Sequence, residues 1–128
     1  MIFDSLDTIH RALSRKEISS VELTEHYLSR IAQFNAQFNC FVSVDAEIAL
    51  AQAQHIDAQR AQNVPLSPLA GTPLAHKDIF CMRDTITSCG SKMLAQFRAP
   101  YTATAIDKLL QAGSIHLGKL NMDEFAMG

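Results

Sequence analysis

The sequence predicts an α/β fold with a helical layer at its N-terminal end, on three observations. Apolar residues recur at helical spacing early in the chain: Leu6, Ile9 and Leu13, then Val21, Tyr27, Leu28, Ile31 and Phe34. Two later stretches, around residues 74–80 and 114–118, place alternate side chains on opposite faces in the manner of strands. A helical pattern built on Ile106, Leu109 and Leu110 separates those two stretches. Strand, helix and strand in that order require a crossover and a parallel pair.

Each element carries local signals. Asp4 or Ser5 can cap the first short helix. Ser19 and Glu22 have the spacing of a capping box for the second, which is expected to end near Asn35, where polar residues gather. Phe41, Val42 and Val44 favour a short strand. Asp45 can cap a third helix running to about Gln62, whose alanine-rich surface suits close packing. Residues 81–90 read as a loop with a strand fragment, and Ser91 as the cap of a short helix through Phe97 that Pro100 stops. Thr102 or Thr104 can cap the next helix, and Gly113 fits its C-terminal stop.

Composition narrows the class. With 128 residues the chain is long enough for one modest domain. A hydrophobic content of 48% and a formal charge of −2 describe a soluble globular chain, without the basic excess of a nucleic-acid surface. The apolar runs are too short and too often broken by charge to span a membrane. The start, Met1-Ile2-Phe3-Asp4-Ser5, has an acid where a secretion signal needs a cation. Cys40, Cys81 and Cys89 are odd in number and lack metal-type pairing, so reduced thiols in a cytosolic protein are expected. The five histidines are scattered, and no metal site is expected.

The stretch 65–80 organises the chain. Three of the four prolines and Gly71 make its first half an extended, turn-rich connector, and its second half is the strand. In that strand Leu74, His76, Asp78 and Phe80 share one face, and Ala75, Lys77 and Ile79 the other. Lys77 is thereby flanked by two apolar side chains. Taking water from a lysine disfavours its charged form, which is how a lysine becomes a usable base. The plainer alternative is a packed stem with the ammonium reaching out toward Asp78.

Two further motifs invite chemistry and fail their context. Residues 113–120 nearly match the phosphate-binding pattern G-x-x-x-x-G-K-[ST]. Leu120 stands where the magnesium-binding hydroxyl belongs, and a helix precedes Gly113 where a strand is required. A nucleotide-binding module through Gly113 and Lys119 is thus the remote reading. Asp123 and Glu124 follow the last strand at its C-terminal end, where parallel sheets bind ligands. Adjacency does not supply acid–base geometry, and a solvated turn or cap is the expectation.

Taken together, Pro68-Leu69-Ala70-Gly71-Thr72-Pro73-Leu74-Ala75-His76-Lys77-Asp78 resembles the lysine-bearing segment of the amidase signature family. The segments 88–94, 100–104 and 118–128, the last containing M-D-E-F, resemble one branch of it, the A subunits of tRNA-dependent amidotransferases. The likeness covers the chain, weakly in the first helices and strongly from Pro68 onward. It implies the amidase signature fold, a mixed, largely parallel sheet flanked by helices, incomplete in this sequence. Residues 1–128 would be the N-terminal portion of a single amidase domain. Within it, 1–63 would form the helical layer with a short strand, and 64–128 the strand–helix–strand core.

The resemblance also implies a Ser–Ser–Lys triad, in which one serine attacks an amide carbonyl, a second relays its proton and a neutral lysine accepts it. Lys77 stands at the lysine position. The two serines belong downstream of M-D-E-F, past Gly128, so the 128 residues alone are expected to be inactive. Ser88 and Ser91 match neither. Met127 and Gly128 stand where the family loop approaches the substrate pocket. Ile79 departs from a frequent asparagine, and Leu120 from a frequent threonine. The implied role is the glutaminase of a transamidating complex, with subunits B and C as partners. Charged tRNA would be held mainly by a partner, and the cofactors ATP and Mg would also lie there, with none in this chain. The implied location is the cytoplasm, or an organellar matrix in a eukaryote. A stand-alone amidase acting on a small amide shares the same triad.

Overall fold

A computed structural model describes residues 3–128; the first two positions of the N-terminal reading, Met1 and Ile2, lie outside the described residues. Four α-helices, two 3₁₀ turns and a three-stranded mixed sheet make up the described residues.

Local signals placed the first helices well. In α1 (Leu6–Ser14), Ser5 takes the cap: its Oγ accepts from Thr8 N, and the Thr8 hydroxyl accepts from Ser5 N. In α2 (Ser20–Phe38) the Ser19–Glu22 box closes, with Ser19 N donating to Glu22 Oε2 at 2.9 Å. A second anchor comes from α3 (Ala46–Ala61), where the Asp57 carboxylate accepts from Ser20 N and Val21 N at 2.8 and 3.0 Å. A carboxylate at a helix N-terminus satisfies otherwise orphaned amides and complements the helix dipole. The helix α2 runs past Asn35 to Phe38 and stops where Asn39 turns left-handed at φ 52°. Asn35 does not end it because its amide side chain serves the next strand, bonding both N and O of Phe41 at 2.8 and 3.0 Å.

Two expected caps are absent. Asp45 precedes α3 but makes no side-chain cap bond, because its carboxylate is taken by His116. The helix α4 (Thr104–Gln111) has Ala103 at its N-cap; Thr102 Oγ1 instead accepts from Arg83 N at 3.0 Å. The short helix expected through Phe97 shrinks to a 3₁₀ turn, Lys92–Leu94, capped by Ser91. Beyond that turn the chain is extended. Thr87 N donates to Phe97 O, Ala99 N donates to Thr85 O, and Ile86 bridges Arg98, which is the expected strand fragment. Gly113, at φ +83°, ends α4 as expected, and a side chain there would press on Ala70.

The strands are β1 (Phe41–Val44), β2 (Pro73–Lys77) and β3 (Ile115–Leu120), in the order β1-β3-β2. The pair β2–β3 is parallel, as the strand–helix–strand order requires, and β1 is antiparallel to β3. β3 continues past Gly118 to Leu120, further than its alternation suggested. β2 is shorter than expected: Phe80 N folds back to Lys77 O at 3.0 Å, and the strand ends at Lys77. Registers shift on both sides of β3: Leu74 pairs with His116 but His76 with Lys119. Gly118 lies between those two partners at φ +154°, with room for no side chain, since a Cβ would fall 2.2 Å from Ser43 O.

Two apolar clusters hold the layers together. Ile9, Ala12 and Leu13 of α1 pack with Ile18 and Leu23. Ala49 and Ala53 of α3 pack on Ile115 and Leu117 of β3, and the α2 stripe of Val21, Tyr27, Leu28 and Ile31 closes over them. The small alanines let the helix approach the sheet closely. In α4, Ile106 is buried and Leu109 and Leu110 are half-buried.

Candidate active site

The site is built at the C-terminal ends of the parallel pair, β2 and β3. Lys77 is the last residue of β2 and is exposed. The expected apolar flanking is not there. Because the strand ends at Lys77, Ile79 falls in the following turn, 40% exposed, and Ala75 is only half-buried.

Asp78 points the other way, into the protein, where it is 1% exposed. Its Oδ2 accepts from Ser88 N at 3.1 Å and from the Ser88 hydroxyl in a short contact. Its Oδ1 faces the Lys119 ammonium at 3.5 Å and has no hydrogen bond of its own. Lys119, in β3, has no exposed surface at all. Its Nζ donates to Phe80 O at 2.6 Å and to Thr87 Oγ1 at 3.0 Å. The main chain of Asp78 is tied as firmly, its N donating to Leu120 O and its O accepting from Cys89 N. A lysine so enclosed cannot reach a phosphate in solvent. With α4 before Gly113 and β3 after it, the phosphate-loop reading fails on geometry.

Folding does bring two of the scattered histidines together. His76 and His116 stack with centroids 4.8 Å apart and Nδ1 atoms 2.9 Å apart. His116 Nε2 lies 2.8 Å from Asp45 Oδ2; a carboxylate only accepts, so that nitrogen carries the proton. Burial, then the neighbouring His116 and Lys119, lowers the pKa of His76 to about 4. His76 is therefore neutral near pH 7. Its Nε2 is buried without a partner among the described residues. Among the described residues, no group of three or more His, Cys, Asp or Glu is placed to hold a metal ion.

A clasp joins the loop after β2 to the loop after β3. Ser91 Oγ donates to Glu124 Oε1 at 2.7 Å, and Phe125 N donates to Cys89 O at 2.9 Å. Gly90, at φ +67°, lies so close to Met122 O that a Cβ would be 2.7 Å away. Asp123 and Glu124 form a turn, as expected. Asp123 Oδ2 accepts from Gly128 N at 2.6 Å, and this bond, its own backbone N–H and the charge of Lys77 hold its carboxyl below the usual range. The clasp therefore carries residues 123–128 to the Lys77 end of the sheet. Met127 is 79% exposed and Gly128 is exposed at the same end.

Sequence reasoning singled out Lys77, Met127 and Gly128 and missed the cluster behind them: Lys119, Asp78 with Ser88, and the Asp45–His116–His76 chain. The partners of Lys119 lie 32 to 41 positions away. No local pattern marks such a contact, and Lys119 stood out only as part of a false phosphate loop.

This end of the sheet thus presents one exposed lysine, Lys77, with the buried Lys119–Asp78 pair behind it. A family model described as Amidase matches residues 22–128, and the chain belongs to that family. It is 53% identical over 128 residues to the A subunit of the glutamyl-tRNA(Gln) amidotransferase of Methylobacillus flagellatus, covering 100% of this chain and 26% of the relative. To the A subunit of the same enzyme in Pseudomonas syringae pv. tomato it is 54% identical over 124 residues, covering 97% of this chain and 26% of the relative. Among solved structures, the native peptide amidase of Stenotrophomonas maltophilia superposes with a TM-score of 0.90 at 30% identity, over 95% of this chain and 25% of that one. A bacterial aryl acylamidase of the amidase signature enzymes superposes equally well, with a TM-score of 0.90 at 24% identity over 95% of this chain and 26% of that one, a likeness of fold. The chain thus spans about a quarter of the length of the relatives it matches.

Proposed function

We propose that this chain is the lysine-bearing portion of a glutaminase that supplies ammonia for tRNA-dependent amidation. The observation that carries the reading is the identity above 50%, along the whole chain, to proteins named as the A subunit of glutamyl-tRNA(Gln) amidotransferase. In this reading Lys77 accepts the proton that a relay serine takes from a nucleophilic serine. Both serines lie outside these 128 residues. Attack on the glutamine carboxamide expels ammonia and leaves an acyl-enzyme, which water hydrolyses to glutamate. Met127 and Gly128 border the glutamine pocket.

Subunits B and C complete a heterotrimer, and the partner that holds the charged tRNA also holds ATP and Mg to activate the misacylated glutamate or aspartate. The complex works in the cytoplasm, or in an organellar matrix if the source is eukaryotic. Residues 1–63 and 64–128 act as one piece of a single amidase domain, consistent with α2 and α3 packing on β3. No helix of the described residues is long and apolar enough to cross a membrane.

The test uses the full-length protein in complex with its partners. Lys77→Ala should lower glutamine-dependent amidation by at least a thousandfold, as expected when one member of a triad that acts as a unit is lost, on the order of 10³ or more. Lys77→Arg should fail nearly as badly, since a guanidinium keeps its charge. Free ammonia should restore product in Lys77→Ala. Near-normal glutamine turnover in Lys77→Arg would sink the base assignment. Robust hydrolysis of simple amides by the full-length protein without partners would favour a stand-alone amidase.

A further inference from the structure

We propose that Lys119 is a positioning residue for Lys77, its buried ammonium fixing the strand end from which Lys77 projects. The inference rests on the reading of Lys77 as the base.

Three features point to it. First, Lys119 is fully buried and its counter-ion nearly so, with side chains 0% and 2% exposed. Burying an ion pair is costly, and well-packed apolar residues of the same size often serve stability equally well or better. Stability alone therefore does not account for a charge here. Second, every group that Lys119 holds belongs to the segment just after Lys77: Asp78 is the next residue, Phe80 closes the turn, and Thr87 flanks Ser88 on the returning loop. Third, Asp78 is tied on every side, by Leu120 O through its N, by Cys89 N through its O, and by Ser88 through its side chain. The main chain after Lys77 is thus held by β3 and the returning loop, and the ion pair adds the tie from the Asp78 carboxylate to β3.

This matters because Lys77 is itself exposed and ends in a flexible four-carbon stem. The direction of its Cα–Cβ bond is the one variable the surrounding fold controls. A proton transfer demands donor and acceptor within hydrogen-bond reach, and a misplacement of about 1 Å can lower a rate on the order of 10²-fold. Lys119 touches neither substrate nor reacting atom; it acts through Asp78.

The test is run in the full-length protein in complex with its partners. Lys119→Met alone leaves Asp78 buried and unpaired, so it is made alongside a charge-free pair, Lys119→Met with Asp78→Asn, which keeps the size of both side chains. The charge-free pair should keep its melting temperature and its amidation with free ammonia, while kcat for glutamine falls about ten- to a hundredfold, the scale of a small misplacement, with KM unchanged. A wild-type kcat in the charge-free pair, with Lys77→Ala inactive, would overturn this inference alone. Parallel loss of melting temperature and ammonia-dependent amidation in the charge-free pair would also overturn it, because the ion pair would then be holding the fold. Full glutamine turnover in Lys77→Ala would remove the base assignment itself.

Discussion

At the scale of single residues, the buried histidine pair sets an acid limit. His76 has a pKa of about 4 in the fold against 6.5 unperturbed, and burial is the main cause. Between those values the unfolded chain binds a proton that the folded chain refuses, so stability rises with pH across that window. The contribution is complete above about pH 6.5 and is lost progressively as pH falls toward 4. Thermal melts of the chain from pH 7.5 down to 4.5 should show this fall, and His76→Gln should flatten part of it. An unchanged slope in His76→Gln would show that other groups govern the acid limit. The same scale shows why half of the site was hidden from the sequence. Lys77 was singled out by its sequence neighbours Ala75 and Ile79, but the structure leaves it exposed at the strand end. His116 was not singled out, since the carboxylate that bonds it belongs to Asp45, 71 positions earlier.

Among the elements, those with closed local chemistry were read correctly and those with distant demands were not. The Ser19–Glu22 box marks the start of α2 within four residues, and the structure closes it. Asp45 has the right identity for a cap and loses the role to a histidine on another strand. β2 was drawn through Phe80 because its alternation continues, whereas the chain turns after Lys77, with Phe80 N bonding back to Lys77 O. The central strand is the least tolerant element. At Gly118 a methyl group would collide with the carbonyl of Ser43, and φ there disfavours any L side chain. Gly118→Ala should destabilise the chain by about 3 kcal/mol, the upper part of the usual range for overpacking. Urea unfolding measures it, and a loss below about 0.5 kcal/mol, the size of an ordinary surface change, would show that β1 yields easily. At the clasp, Gly90→Ala should loosen the loop over Met122 O and speed amide exchange at Phe125 N, which bonds Cys89 O. Unchanged protection at Phe125 would count against the clasp.

For the molecule as a whole, the layers were predictable and the exposed surface was not. Phe38, Val42, Val44, Ile79, Phe80, Phe97 and Met127 are all exposed. In the sheet order, β1 and β2 are each bonded to β3 and to no other strand. Unpaired edges and contiguous apolar surface favour association. The 128-residue chain on its own should sediment as more than a monomer or exchange its outer-strand amides rapidly. A monomer with a sharp cooperative melt would show that these residues form a self-sufficient unit.

The order β1-β3-β2 also sets a timetable. The middle strand is the last of the three to leave the ribosome, and the two made earlier flank it without touching one another in the ladder. With synthesis at about 5–20 residues per second, the roughly forty residues between the second strand and the third take seconds to appear. During that interval a nascent chain carries two strands and no sheet. Its helices can fold and pair, since the α2 N-terminus is held by Ser19, Glu22 and Asp57, all made earlier, while strand 41–44 waits for residue 120 to emerge. Chains arrested after residue 114 should protect helical amides and leave 41–44 and 73–77 open to exchange, a state in which a chaperone has two bare strands to hold.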